Sequence, residues 1–327
     1  MSTLFITTQG AYLRKRAGQF VVTNKDQELT VLPEAMLECV VLLGAVQVST
    51  QAMTALLDQG VPLLYLSRSG HFRGMLQPGF PKNVERRLIQ YECASNPEFS
   101  TTAAKCLVKA KMDASLFTLS KWRRNDWGDT SSALDGIRSC RDRLTDAERM
   151  EAVLAVEAQA AKYHFGGLAA ALPPGFRWEG RNRQPPRDPV NALLSLSYML
   201  VVGFAVAAAY AGGLDPFVGF LHQLEYGRPS FALDLLEPLR AAWCDHAVVK
   251  ALQAEELRPE DFETTAADGC RLTTEGFKRY IHLFRNQTDP DNPSGINRTL
   301  QAYVRDFQQA MKDRRPPVWT EAMQEAA

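Results

Sequence analysis

The rhythm of apolar residues along the chain changes near residue 80. Before that point apolar positions come in short runs, Leu4–Thr8, Ala11–Lys15, Gln19–Thr23 and Glu28–Leu32, split by turn residues at Gln9–Gly10, Ala17–Gly18 and Asn24–Asp26. Runs of this length with such punctuation predict β-strands. Cys39–Gly44 and Val61–Leu66 are more continuous apolar strands, and between them Ser49–Gln59 reads as a helix capped by Ser49 or Thr50. The segment Pro78–Pro81 then breaks the chain. Beyond it the apolar period moves from two to about 3.6. Helices are expected over Asn83–Tyr91, Ser100–Arg124, Ser132–Arg143, Asp146–Phe165, Pro189–Ala211, Ala232–Glu255, Thr273–Gln287 and Ile296–Asp313. The pattern predicts an α+β chain: a small N-terminal β-sheet domain (1–80), a linker (81–90), a larger all-α C-terminal domain (91–317) and a loose tail (318–327).

Composition narrows the class. The chain has 327 residues, 46% of them hydrophobic, enough for a sizeable core, and a formal net charge of zero. Any nucleic-acid surface must therefore come from local clustering of Lys and Arg. None of the six cysteines forms a C-x-x-C pair, which argues against a zinc ribbon or a secreted disulfide framework and for free thiols in a reducing cytosol. The N-terminus shows no signal-peptide pattern. Pro189–Leu214 carries no charge and is long enough to span a membrane. Its internal Asn191, Ser195, Ser197 and Tyr198 and its many small residues instead predict a buried central helix, with no membrane partner.

Four residues stand out as candidate chemistry. Glu157 sits among Val153, Leu154, Val156, Ala160 and Ala161, and a carboxylate on a face otherwise fit for burial is costly unless paired or metal-bound. His222 ends an apolar run. Asp234 and Glu237, at i and i+3, share one helix face, and Pro238 suggests a bend or boundary there. Oxygen donors with one imidazole suit Mg²⁺ or Mn²⁺ better than zinc. Plainer readings compete: Glu157 as a half-exposed residue of an amphipathic helix, His222 as a hydrogen-bonded core residue.

Two basic stretches offer phosphate contacts. Residues 81–125 hold nine Lys or Arg against four acids, Lys105, Lys109, Lys111, Lys121, Arg123 and Arg124 among them, with Trp122 placed to stack on an unpaired base. Residues 177–187 add Arg177, Arg181, Arg183 and Arg187.

The segments Val156–Phe165, Asn182–Tyr198, Gly219–His222 and Gly227–Arg240, with Thr274–Lys278 as a weaker fifth, together resemble the CRISPR-associated Cas-one family, the integrase and nuclease that inserts new spacers into CRISPR arrays. The resemblance implies that Glu157, His222 and Glu237 are the metal ligands, that Asp234 supports them within the catalytic set, and that the cofactor is Mg²⁺ or Mn²⁺. It implies a metal-dependent DNA endonuclease and integrase acting by 3′-OH transesterification in antiviral defence. The expected DNA contacts are Lys105, Lys109, Lys121, Arg123, Arg124, Arg181 and Arg183 from the basic stretches, and Arg228 and Lys278 from the matched segments. The resemblance further implies a cytoplasmic homodimer formed through the β-rich domain, two copies of which flank a dimer of the Cas-two protein in a heterohexameric complex. Tyr163 is a further candidate for positioning the phosphate. One departure is Ala158, where the family commonly has glycine after the glutamate. Two alternatives share the same residues: a related mobile-element transposase, and a non-catalytic DNA-binding scaffold.

Overall fold

The computed structural model describes residues 2–25, 27–79, 81–182, 185–265, 269–287 and 295–318. Arg183 and tail residues 319–327 therefore lie outside the described residues. The N-terminal part contains β1 (Ser2–Ile6), β2 (Tyr12–Arg16), β3 (Gln19–Asn24), β4 (Gln27–Pro33), β5 (Leu37–Leu43), β6 (Gln47–Val48), α1 (Thr50–Asp58), β7 (Leu63–Leu66) and β8 (Phe72–Leu76). Ser49 caps α1, its Oγ accepting the Ala52 N–H at 3.2 Å. The strands form two four-stranded sheets, ordered β1-β5-β7-β8 and β4-β3-β2-β6. In the first, β1, β5 and β7 run parallel and β8 antiparallel.

Strand alternation explains the continuous apolar runs. Val40, Leu42 and Leu63 turn to one face and join Leu13, Phe20, Val22 and Leu56 in a core between the sheets. Cys39, Val41, Leu43, Leu64 and Leu66 turn to the other and join the core of the helical part. The first sheet is thus buried on both faces, which selects apolar residues at every position rather than every second one.

The helical part comprises α2 (Val84–Ser95), α3 (Pro97–Arg124), α4 (Ser131–Thr145), α5 (Met150–Ala170), α6 (Pro189–Ala211), α7 (Ser230–Leu239), α8 (His246–Gln253), α9 (Thr274–Gln287) and α10 (Ile296–Lys312). Helix α6 is the uncharged segment; 78% of its most apolar stretch is buried inside the protein. It lies against the first sheet through Gly203, where an added Cβ would sit 3.5 Å from Leu64, and against the other helices through the shared core. The 28-residue α3 begins with Asn96 accepting the Glu98 and Phe99 amides and ends on Lys121, Arg123 and Arg124, matching the helix dipole at both ends.

Three features depart from the periodicity reading. The single helix expected over Ala232–Glu255 is interrupted: after Pro238, which has no N–H to give, residues Arg240–Asp245 widen into a π-helical turn before α8. A short antiparallel hairpin, β9 (Phe262–Thr265) with β10 (Gly269–Leu272), interrupts the helical series; four-residue strands are too short to display a period. Trp122 does not stack on nucleic acid, because it is fully buried. Its indole N–H donates to His246 Nδ1 at 2.9 Å.

Since an indole nitrogen only donates, His246 Nδ1 must be unprotonated. Burial first, then the Lys121 and Lys250 cations, lower the His246 pKa from its ordinary 6.5 to about 4. The unfolded chain therefore binds a proton here that the folded chain refuses. This stabilisation is complete above pH 6.5 and is lost as pH falls toward 4, at a cost of about 3 kcal/mol. Urea unfolding at pH 7 and pH 4.5 should show that loss in the parent, and a smaller one in His246→Asn, whose side chain does not titrate.

Candidate metal and catalytic site

The site is built where α3, α5, α7 and the loop before α7 meet. The loop supplies its geometry through Asp234, a fully buried carboxylate on α7. Asp234 Oδ2 accepts the backbone N–H of Phe220 at 2.6 Å and of Leu221 at 3.1 Å. Its Oδ1 accepts the His222 backbone N–H at 3.0 Å and faces His222 Nδ1 at 2.7 Å. A carboxylate accepting from backbone amides has only lone pairs to offer, so Nδ1 carries the proton and Nε2 keeps a free lone pair. Gly219 is required for the wrap: a Cβ there would lie 2.8 Å from Asp234 Oδ2 and 2.8 Å from the Ser230 carbonyl carbon.

One turn beyond Asp234, Glu237 is 2% exposed. Its Oε1 lies 3.8 Å from His222 Nε2 and 3.2 Å from Arg240 Nη2. Its Oε2 lies 2.7 Å from Lys111 Nζ on α3, an ammonium–carboxylate contact. The same Lys111 ammonium contacts Glu157 Oε1 on α5. Burial by itself would raise the Glu237 carboxyl; Arg240, Lys111 and His222 together outweigh it and bring the pKa down to about 2. Glu237 is therefore ionised in the folded protein.

Glu157, His222 and Glu237, far apart in sequence, thus belong to one connected cluster, with Lys111 between the two glutamates. Asp234 and Glu237 share a helix face but not a partner: the first is committed to the 219–222 loop, the second to the cations. Among the described residues, no three His, Cys, Asp or Glu side chains already stand at metal-ligand spacing. The donor set nonetheless fits a hard divalent cation. Two carboxylates and one imidazole are available, the imidazole is oriented from behind by a carboxylate, and buried Glu237 Oε2 already faces a cation, the Lys111 ammonium.

Arg240 links this cluster to a second one. Its guanidinium lies 4.5 Å over the Tyr198 ring. Tyr198 Oη donates to Asp245 Oδ1 at 2.5 Å, and Asp245 Oδ2 faces His164 Nε2 at 2.7 Å. The π-helical turn presents Arg240 and Asp245 to a small pocket of about 20 Å³, also lined by Lys111, Ser115, Glu157 and His164.

Sequence reasoning missed Lys111 and Arg240. Lys111 was legible only as one of several α3 cations; Arg240, at i+3 from Glu237, carried a pairing signal. Tyr163 packs its ring against Gly136 of α4, which has no room for a Cβ, a structural role.

The expected DNA contacts divide. Lys109, Arg123, Arg124 and Lys278 are exposed, although Lys109 pairs with Asp113 at 2.9 Å and Lys278 with Glu275 at 2.8 Å. Lys105 donates to the Thr145 carbonyl, Lys121 is half-buried, and Arg228 pairs with Glu225. Arg181 is not a surface cation: its guanidinium donates to Asn191 Oδ1 at 2.7 Å and Ser195 Oγ at 3.0 Å and lies over Tyr198. It braces the start of α6, where Asn191 is fully buried.

The family model described as CRISPR associated protein Cas1 matches residues 4–286 of the chain. The chain is 32% identical over 304 residues to the CRISPR-associated endonuclease Cas1 1 of Chlorobaculum tepidum, covering 90% of this chain and 88% of that protein. Among solved structures, a CAS1 protein from Thermotoga maritima superposes with a TM-score of 0.83 over 98% of this chain and all of that one, at 17% identity. A Cas6-RT-Cas1–Cas2 complex superposes with a TM-score of 0.81 over 98% of this chain and 36% of the matched chain, at 21% identity. At these identities the superpositions speak for the fold.

The Asp234 wrap sets an energetic expectation. Replacing Asp234 with Asn removes the charge and turns an amide NH₂ toward groups that all donate. We expect Asp234→Asn to lose roughly 2–4 kcal/mol of unfolding free energy, measured by urea denaturation.

Proposed function

The chain belongs to the CRISPR associated protein Cas1 family, and from that membership we propose that it is a metal-dependent DNA endonuclease and integrase. In this reading it inserts new DNA into a CRISPR array by attack of a 3′-OH on a phosphodiester. The observation that carries the reading is one connected cluster: Lys111 bridges Glu157 and Glu237, and the oriented imidazole of His222 stands 3.8 Å from Glu237.

Glu157, His222 and Glu237 would hold the divalent ion, Mg²⁺ or Mn²⁺, which supplies Lewis-acid polarisation of the phosphate and stabilises the charge that develops there. The protein's own residues prepare that chemistry. Asp234 fixes the His222 tautomer so that Nε2 faces the site. Arg240, buried beside Glu237, keeps that carboxylate ionised. The exposed cations at the end of α3, Arg123 and Arg124, and Lys109 on its outer face suit the backbone of DNA without reading its sequence. Arg228 and Lys278, paired to neighbouring glutamates, suit phosphate only by exchanging those partners.

The assembly we propose is a homodimer through the β-rich N-terminal part, two copies flanking a dimer of Cas2. It is supported by the family and by the likeness to the Cas1-bearing chain of a complex named with Cas2. A cytoplasmic location accords with six cysteines that are all free thiols.

Three outcomes follow. Glu157→Gln, His222→Asn and Glu237→Gln should each lower strand transfer into a supercoiled array plasmid by about a thousandfold or more, with circular dichroism unchanged. EDTA should stop the parent, and Mn²⁺ or Mg²⁺ should restore it; integration at the parental rate by Glu157→Gln removes the site assignment. Charge reversal of Lys109, Arg123 and Arg124 should weaken DNA binding and flatten the slope of log K against log salt by roughly 0.9 per lost contact, read by fluorescence anisotropy from 50 to 200 mM salt.

A further inference from the structure

Lys111 occupies an unusual place for a residue of a basic helix. Eight of the nine Lys and Arg counted between residues 81 and 125 are other residues; this one turns inward, its side chain 14% exposed, between carboxylates from two other helices. Both carboxylates are the proposed metal ligands. Its neighbours on α3, Val108 and Met112, are buried, so the stem is held against apolar surface while the ammonium reaches the acids.

The pairing with Glu237 is an ammonium–carboxylate contact, Lys111 Nζ standing 2.7 Å from Glu237 Oε2. Without Lys111, Glu157 and Glu237 would face each other in a partly dehydrated setting, where like charges repel strongly. Arg240 and His222 serve the Oε1 side of Glu237, and no contact between either of them and Glu157 accompanies that arrangement. Lys111 alone, among the contacts described, bridges the two glutamates.

We propose that Lys111 is the built-in counter-cation of the metal site: its ammonium holds Glu157 and Glu237 together in the metal-free protein and is displaced when the divalent ion enters between them. The inference rests on the metal-site reading above and goes beyond it. It makes Lys111 a positioning residue with two opposed effects. It preserves the ligand arrangement before loading, and it competes with the ion for the same two carboxylates, so loading is an exchange of one cation for another. The flexible four-carbon stem of lysine permits that exchange, which a rigid guanidinium fork would resist.

The experiment compares the EDTA-stripped full chain with Lys111→Met, of similar length and no charge, by Mn²⁺ titration calorimetry and by thermal unfolding. Lys111→Met is expected to bind Mn²⁺ at least about tenfold more tightly, to unfold at a lower temperature in EDTA, and to gain more from saturating Mn²⁺ than the parent does. A residue that served only packing would not tighten metal binding when removed. Equal or weaker Mn²⁺ affinity in Lys111→Met overturns the inference. Glu157→Gln, run alongside, separates the two levels. If it abolishes the parent's Mn²⁺ binding while Lys111→Met leaves affinity unchanged, the metal site stands and the counter-cation role falls. If no protein binds Mn²⁺, both fall.

A second measurement needs no variant. Lysine acetylation of the parent, read by mass spectrometry, should label Lys111 about tenfold faster with saturating Mn²⁺ than in EDTA, because displacement exposes the amine. Equal labelling in the two conditions overturns the inference.

Discussion

A carboxylate almost wholly removed from water is the constraint around which the proposed metal site is organised. Glu237 is 2% exposed, and ionised carboxylates are retained at such burial only when positive charge is brought to them. Two different parts of the chain bring it, Lys111 from the long helix α3 and Arg240 from the turn after α7, while His222 from the loop before α7 turns its Nε2 toward the same carboxylate. Each side chain is itself held. Asp234 holds His222, Tyr198 lies under Arg240, and Val108 and Met112 flank Lys111. Removing one partner of such a set leaves an uncompensated charge, so satisfying this one group fixes how the helices sit.

The break in helical geometry after Pro238 belongs to the same logic. A regular helix would continue the i, i+3, i+4 register beyond Glu237. Arg240 meets Glu237 at the ordinary i, i+3 spacing, and the π-helical turn that follows carries Asp245 to Tyr198 and His164. Two buried acids are thereby served from one short segment, and the pocket between α3 and α5 gains a polar wall. The turn's departure from regular helix geometry is accompanied by the Asp245 hydrogen bonds to Tyr198 and His164.

Helix α3 carries the architecture and the chemistry together. One face holds Trp122, Leu107 and Val108 in the core and turns Lys111 to the acids, while the outer face and the C-terminal end expose Lys109, Arg123 and Arg124. A phosphate backbone tracking the outer face would lie along the same rod that positions Lys111. Helices packed against one another hold α3 in place along its length.

Hydrophobic rhythm alone determined the division into a strand-rich beginning and a helical remainder, the start and end of α6, and the cap of α1, because these depend on local period and local hydrogen-bonding groups. The resemblance carried by Val156–Phe165, Gly219–His222 and Gly227–Arg240 singled out Glu157, His222, Asp234 and Glu237. What no local pattern could decide was direction. Lys111 and Lys109 are two residues apart on one basic helix, yet one enters the site and the other meets solvent; Trp122 and Arg123 are adjacent, yet one is core. Arg181 read as a phosphate contact and instead braces α6. The hairpin β9–β10 and the π-helical turn were invisible for a related reason, since each is shorter than a period or breaks one. Burial, and the charge compensation it demands, depends on residues distant along the chain, so only the tertiary structure could assign which cation answers which acid.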